Sequence, residues 1–205
     1  MSTDEIQPGG FVEDGDTRLM MRLAAGEEGV FDEIVERFQR QVYGVIYRYI
    51  GNSSMAEDCA QEVFLRLYRM RKTYRPSARV STLIYRITAN LCLNAIRDTK
   101  RRRMLSLDAA YGDEEATLAQ AVTAAEPSAE EKATGRERAE IVRKALTRIP
   151  DRQRIALVLH RFEGLSYADI AETMETNVDA IKALLSRARA SLAMALKSDI
   201  EAGNL

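Results

Sequence analysis

Lys182, Arg187 and Arg189 carry positive charge on the second half of the stretch Leu165-Ser-Tyr-Ala-Asp-Ile-Ala-Glu-Thr-Met-Glu-Thr-Asn-Val-Asp-Ala-Ile-Lys-Ala-Leu-Leu-Ser-Arg-Ala-Arg189. Such side chains neutralise phosphates and donate to base edges. Their spacing reads as a helix on which Val178, Ile181, Leu185, Ala188 and Leu192 recur at three- and four-residue steps, facing inward. A shorter helix, Tyr167 to Met174, precedes it with Ile170, Ala171 and Met174 on one side, and Glu175-Thr176-Asn177 forms the break. Two short amphipathic helices around a tight turn make a helix-turn-helix, whose second helix enters the major groove. The outward residues of that turn and helix, Thr176, Asn177, Asp179, Ala180, Lys182, Ala183 and Arg187, are the candidate DNA contacts.

Two other groups stand out. Asp58, Gln61 and Glu62 fall three and four residues apart, so they share one face of a helix. An ordinary solvated face is the plain alternative. From Arg66 to Arg103 there are twelve basic residues against Asp98 alone, whereas Met104 to Glu140 holds nine acids and three bases. The first 38 residues hold ten acids and three bases. A net charge of −1 therefore hides a basic centre between acidic flanks. Phosphate neutralisation is the physical reason for such a block, with a generic solvated surface as the alternative.

Other chemistries find little support. Cys59 and Cys92 form no CxxC, and His160 is the single histidine, so neither a metal site nor a cofactor is expected. Reduced structural thiols are the expectation, a redox sensor the minor alternative. His160 lies in an apolar helix and reads as structural. Met20, Met21, Met70, Met104, Met174 and Met194 read as core filler. Nucleophile, ligand and phosphate-loop motifs are lacking, so neither an enzyme nor a small-molecule substrate is expected. The amino terminus is polar and acidic, and no run of about 20 apolar residues occurs, so a cytoplasmic protein without direct membrane insertion is expected.

The elements that must position these residues are all helical. Residues 1–16 read as a disordered arm. Asp16 or Thr17 can cap a first helix with Leu19, Met20 and Leu23. Phe31, Ile34, Val35, Phe38, Val42, Val45, Ile46 and Tyr49 then recur over about five turns. Gly51 to Ser54 ends that helix, and another runs from about Ser54 to Arg71 with Ala60, Val63, Phe64 and Leu67 inward. Thr73 to Arg79 reads as a loop around Pro76. Ser81 can cap a long helix to about Arg103, with Leu83, Ile84, Ile87, Leu91 and Ile96 inward. Residues 105–135 read as a flexible acidic linker, partly helical at best. A second domain, residues 136–198, begins with a helix bearing Ile141, Ala145, Leu146 and Ile149. Pro150 stops it. Asp151 caps the next helix, with Ile155, Val158, Leu159 and Phe162 inward, ahead of the helix-turn-helix and a tail at 199–205. The fold class is all-α, with two small helical domains.

Three motifs stand in order: Ala56-Glu-Asp-Cys-Ala-Gln-Glu-Val-Phe-Leu-Arg-Leu-Tyr68; Leu83-Ile-Tyr-Arg-Ile-Thr-Ala-Asn90 followed by Asn94-Ala-Ile-Arg-Asp98 and Lys100 to Arg103; and Ile149-Pro-Asp-Arg-Gln-Arg-Ile-Ala-Leu-Val-Leu-His-Arg-Phe-Glu-Gly-Leu-Ser-Tyr-Ala-Asp-Ile-Ala171. Together they resemble bacterial RNA polymerase sigma factors of the extracytoplasmic-function class, over roughly residues 17–104 and 136–196. The resemblance implies a sigma-2-like bundle that docks on core polymerase and engages the −10 promoter element, and a sigma-4-like domain that binds the −35 element as duplex. It places Asp58, Gln61 and Glu62 on the coiled coil of the polymerase clamp. It places Tyr74, Arg75, Ser77, Tyr85, Arg86, Asn90, Asn94 and Arg97 on the −10 strand, the loop around Tyr74 receiving an extruded base. For Asn90 and Asn94, helix capping or inter-helix hydrogen bonding is the alternative. It further implies an anti-sigma partner, which can hold the protein near the inner membrane, and a signal- or stress-responsive set of promoters.

The sequence departs from the family at several positions. Leu83 stands where members usually carry tryptophan, Val80 where phenylalanine is frequent, Glu175 where the turn is commonly glycine, and Ala183-Leu184 where Ser-Arg is frequent. The first two read as core substitutions; the later ones bear on the promoter sequence. Leu184 either touches a thymine methyl or packs at the edge of the core.

Overall fold

The computed structural model describes residues 14–76, 78–105 and 129–203. These form eight α-helices, α1 (Gly15–Ala24), α2 (Val30–Ile50), α3 (Ser53–Met70), α4 (Val80–Leu105), α5 (Ala129–Thr147), α6 (Asp151–Phe162), α7 (Tyr167–Thr173) and α8 (Val178–Glu201), with a short 3-10 turn at Arg71–Thr73. No strand occurs among the described residues. The linker at 105–135 lies mostly outside them, although α5 already begins at Ala129.

In the first domain α2 packs on α1, α3 and α4. Ile34, Val42, Val45, Ile46 and Tyr49 of α2 are fully buried, as are Val63 and Leu67 of α3 and Val80 and Cys92 of α4. Burying each large aliphatic side chain contributes about 1.5–3 kcal/mol. This three- and four-residue row therefore fixes the rotation of each helix and decides which residues are left outside. In the second domain α6 and α7 pack on α8 through Ile155, Val158, Leu159, Ile170, Ile181, Leu185 and Ala188.

Several expectations shift at the helix ends. The first cap is Asp14, whose carboxylate accepts from the Thr17 amide and hydroxyl, both at 2.8 Å. Asp16 instead pairs with Arg37 at 2.6 Å. α4 starts at Val80, one residue before the expected cap Ser81. Pro150, not Asp151, occupies the N-cap of α6; Asp151 is the first helical residue, favourable there through the helix dipole. α2 ends at Gly51, with φ +82 supplying the left-handed C-cap. Phe162 and Val178, expected inward, are 42% and 37% exposed. Met21 and Met194, expected in the core, are exposed as well.

The two domains touch: α2 packs against α5 and α6, and α4 against α6 and α7.

Candidate nucleic-acid interface

The helix-turn-helix is locked by short-range bonds. Ser166 caps α7 in a capping box, its hydroxyl accepting from the Asp169 amide at 3.1 Å while Asp169 Oδ2 accepts from the Ser166 amide at 3.2 Å. In the turn, the Thr176 amide donates to the Ala171 carbonyl at 2.9 Å, and Glu175 adopts φ 51, a left-handed conformation that a glycine would hold at less cost. Asn177 Oδ1 accepts from the Ala180 amide at 2.8 Å, so its side chain caps α8. A capping residue ahead of an apolar-periodic helix was a signal already present in the sequence.

Because Ile181, Leu185 and Ala188 are buried, Asn177, Asp179, Lys182, Ala183 and Arg187 stand in solvent, with Thr176 and Ala180 half-buried beside them. Lys182 Nζ lies 3.1 Å from Asp179 Oδ1, so part of its charge is spent locally. Leu184 is half-buried and packs against the edge of the core.

On the first domain, Arg86, Asn90, Asn94 and Arg97 recur at four-, four- and three-residue steps along α4. Asn90, Asn94 and Arg97 are exposed, as is Arg75 in the preceding loop. Tyr74 is buried in the domain core, so its ring anchors that loop. Ser77 lies outside the described residues. Tyr85 is 7% exposed: its hydroxyl donates to Glu163 Oε2 at 3.0 Å, across the domain boundary. Arg86 faces Glu175 at 3.7 Å.

On α3, Asp58 and Gln61 are exposed. Glu62 is half-buried, and its carboxylate accepts from Arg66 Nε at 2.7 Å with Arg69 at 3.6 Å. The bond from Arg66 holds this carboxyl below its ordinary range. The i,i+4 spacing of Glu62 and Arg66 announced this pair in the sequence. Gln61 also borders an open groove between α2 and α3, floored by Val35, Tyr43, Ala60 and Phe64 and edged by Arg40.

Comparison with known proteins decides what this surface belongs to. Residues 34–102 match the family model for Sigma-70 region 2, and residues 139–192 that for Sigma-70 region 4. The chain is 31% identical to RNA polymerase sigma-H factor of Pseudomonas aeruginosa over 187 residues, 89% of this chain and 94% of that protein. It is 30% identical to the extracytoplasmic-function sigma factor SigW of Bacillus subtilis over 88% of this chain and 96% of that protein. The chain belongs to the extracytoplasmic-function sigma factors. The fold is also that of CnrH, solved in complex with the cytosolic domain of CnrY (TM-score 0.64, 21% identity, 91% of this chain and 99% of that one). It is shared with the sigma factor RpoE of Bartonella quintana, solved with the anti-sigma factor NepR (TM-score 0.64, 20% identity, 82% and 98%). As a sigma factor it serves RNA polymerase in directing promoter recognition and transcription initiation.

The sigma factor's domain boundary is rich in ionic contacts. Arg154 on α6 is 4% exposed; it donates to the Thr147 carbonyl at 2.9 Å, to Ile149 at 3.1 Å and, in the other domain, to Tyr49 at 2.6 Å. Burial lowers its pKa from the ordinary arginine value, but these carbonyls supply acceptors for the buried cation. Arg143 on α5 donates to the Gly51 carbonyl. Two arginines of the second domain thus cap the C-terminal end of α2, where free carbonyls and the helix dipole favour cations. A Cβ on Gly51 would meet Arg143 Nη1 at 2.7 Å and Thr147 Cγ2 at 3.0 Å, which shows how closely α5 approaches. Glu163, almost buried, also faces Arg48 at 3.7 Å, and Arg48 lies over the Phe162 ring at 4.6 Å.

His160 has a structural setting: its Nδ1 is 3.0 Å from the Leu165 carbonyl, and its ring meets Tyr167 edge-on. Burial pushes both thiols up, Cys92 most strongly, which disfavours the reactive thiolate. No helix among the described residues is long and apolar enough to cross a membrane.

Proposed function

We propose that residues 17–104 form the unit that binds core polymerase and the −10 element, that residues 136–198 form the −35 unit, and that residues 105–135 join them. The observation that carries this reading is the separation of rows on α8: Ile181, Leu185 and Ala188 buried, Asn177, Asp179, Lys182, Ala183 and Arg187 in solvent. Lys182 and Arg187 then meet phosphate or guanine, Asp179 can accept from cytosine, and Thr176, Ala180 and Ala183 complete the surface. Asn177 contributes through its cap as well. Arg86, Asn90, Asn94 and Arg97 form the corresponding −10 row, supported by the loop of Tyr74, Arg75 and Ser77 and flanked by Tyr85.

Asp58 and Gln61, beside the groove between α2 and α3, meet the basic coiled coil of the polymerase clamp, and Glu62 joins them by exchanging Arg66 for a partner cation. The protein makes and breaks no bond itself. It works in the cytoplasm at a signal-responsive set of promoters, and an anti-sigma factor holds it inactive; the sigma factor RpoE of Bartonella quintana, which shares the fold, was solved with such a partner, which supports that expectation. Run-off transcription with core polymerase on a promoter library, followed by sequencing of the products, tests the reading. A shared −35 and −10 motif among the transcripts is expected; products no different from core polymerase alone would overturn it.

A further inference from the structure

Asp179, Ala183, Ser186 and Ala190 follow one another on α8 at four- and three-residue steps, opposite the buried Ile181, Leu185 and Ala188, and all four are exposed. Three of the four are small, so the helix can lie close to the floor of a groove. Asp179 is the second residue of the helix, in the turn that meets base edges when a recognition helix enters the major groove. Beside it, Lys182 holds its Nζ 3.1 Å from Asp179 Oδ1, with the Asp179 side chain 89% exposed and that of Lys182 59%. An ion pair so exposed contributes little to the fold. The Asn177 cap, 2.8 Å from the Ala180 amide, and the fully buried Ile181 fix the backbone that carries it.

The pair presents an acceptor and a donor at hydrogen-bond distance from each other, for a carboxylate only accepts and an ammonium only donates. The major-groove edge of a C·G base pair presents the complement. Cytosine N4 donates and guanine O6 accepts, and because these two are hydrogen-bonded to each other they too lie about 3 Å apart. Adenine N6 beside thymine O4 repeats that order, but adenine N7, an acceptor, then faces the carboxylate. In C·G the corresponding guanine N7 faces the ammonium as a second acceptor. The reversed pairs set acceptor against acceptor. A carboxylate without a donor there sits among phosphates, one charge per ~1.7 Å of duplex, and weakens binding.

We propose that Asp179 and Lys182 read one C·G base pair of the −35 element as a unit, Asp179 on the cytosine and Lys182 on its guanine, and that Asp179 rejects guanine and thymine at the cytosine position. Adenine is the second choice there. This deepens the −35 reading of α8 given above and rests on it.

Selection tests it. Full-length protein bound to core polymerase is mixed with promoter duplexes randomised over the −35 element, and the bound duplexes are sequenced. The parent is expected to prefer C·G at one position. Asp179→Asn should move that position to adenine, because an amide offers an acceptor to N6 and a donor to N7. The cytosine preference should fall about tenfold, the size of one base contact. Lys182→Ala should relax the same position and no other. The swap carrying Asp179→Lys and Lys182→Asp should turn the preference to G·C. Far-ultraviolet circular dichroism checks folding, and the Asn variant, nearly equal in volume to the parent, carries the test if the swap does not fold. A role for Asp179 confined to the helix dipole would alter stability and leave the selected base as it was. An Asn variant that selects the parent's motif, or a Lys182 effect at a different base pair, would therefore overturn the joint reading. So would an Asp179→Ala variant that binds every sequence more tightly with its motif unchanged, since Asp179 would then act only as a diffuse charge. Arg187→Ala judges the −35 reading separately. Lower affinity or a relaxed preference in that variant upholds the reading even if the pair fails. If the Arg187, Asp179 and Lys182 variants all bind and select as the parent does, the −35 reading itself falls.

Discussion

At the start of α8, Asn177, Asp179, Lys182, Ala183 and Arg187 stand in solvent, set there by Ile181, Leu185 and Ala188 of the same helix and by the Asn177 cap. On α4 Asn90, Asn94 and Arg97 are likewise exposed, while Arg86 and the flanking Tyr85 meet Glu175 and Glu163 of the other domain. One region is organised by its own helix and local caps; the other also by partners far away in the chain. A surface set by its own helix depends only on how that helix packs, whereas the setting of Tyr85 and Arg86 also depends on how the second domain packs.

The largest effect is expected from the loop before α4. Tyr74 belongs to the core, so a replacement that keeps it and converts Arg75 to Ala78 into Gly and Ser removes the part of the loop proposed to meet DNA while leaving that anchor in place. Open-complex formation should be lost, while −35 duplex binding by the full chain persists. Permanganate reactivity near the start site equal to that of the parent would show that the first region does not engage the strand in this way.

Arg154 tests the boundary itself. Arg154→Leu leaves the Tyr49, Thr147 and Ile149 carbonyls short of a donor that they now share. Leaving a buried acceptor without its donor costs about 1–3 kcal/mol. The urea midpoint should fall accordingly, with the α8 surface still able to bind duplex below the transition. An unchanged midpoint would mean that water replaces the guanidinium at little cost, and that Arg154 is not what holds the ends of α2 and α5 together.

Much of this architecture could be read from the sequence where helix periodicity and burial agree. The row from Ile34 to Tyr49 and the row Ile181, Leu185, Ala188 were legible because each repeats on one face over several turns. Helix starts were less so. Asp16 and Asp14 are both capping residue types, and only geometry shows that Asp14 reaches the Thr17 amide. Phe162 and Val178 fit an inward periodicity yet lie at helix ends, where the core no longer covers them. The pairing of Tyr85 with Glu163 spans 78 residues and rests on domain packing, for which neither local spacing nor composition carries a signal. Glu62 looked available for polymerase because its face was read without the Arg66 that follows one turn later.

The second region should respond more modestly and in a graded way. If Arg187 meets a phosphate, Arg187→Ala lowers affinity across all −35 sequences and reduces the salt slope by about 1. If it meets guanine, the same change costs about 1–3 kcal/mol and relaxes preference at one position. Duplex titrations at several salt concentrations on randomised −35 elements separate the two. Equal affinity, slope and preference in parent and variant would remove Arg187 from the interface. Leu184→Arg now sharpens the point from the other side: since Leu184 packs against the core, the expected result is a lowered melting temperature with the −35 preference unchanged.

The smallest effect comes from the turn that belongs to both regions. Glu175 carries the left-handed conformation of the helix-turn-helix, φ 51, and its carboxylate meets Arg86 of the first domain at 3.7 Å. Holding a non-glycine residue there costs about 1 kcal/mol. Glu175→Gly relieves that cost but also removes an exposed ion pair, which contributes about 0–1 kcal/mol. The two terms oppose each other in stability but not in function. The net change in unfolding free energy should be a gain of at most about 1 kcal/mol, read as an equal or slightly higher melting temperature. Arg86, relieved of its partner, should give slightly tighter binding of single-stranded −10 DNA. Glu175→Gln separates the terms, because it keeps the strained backbone and loses only the charge. If Gln and Gly variants melt together, backbone strain in the turn is negligible. If Gln alone leaves −10 binding as it was, the contact between Glu175 and Arg86 does not restrain Arg86 toward DNA.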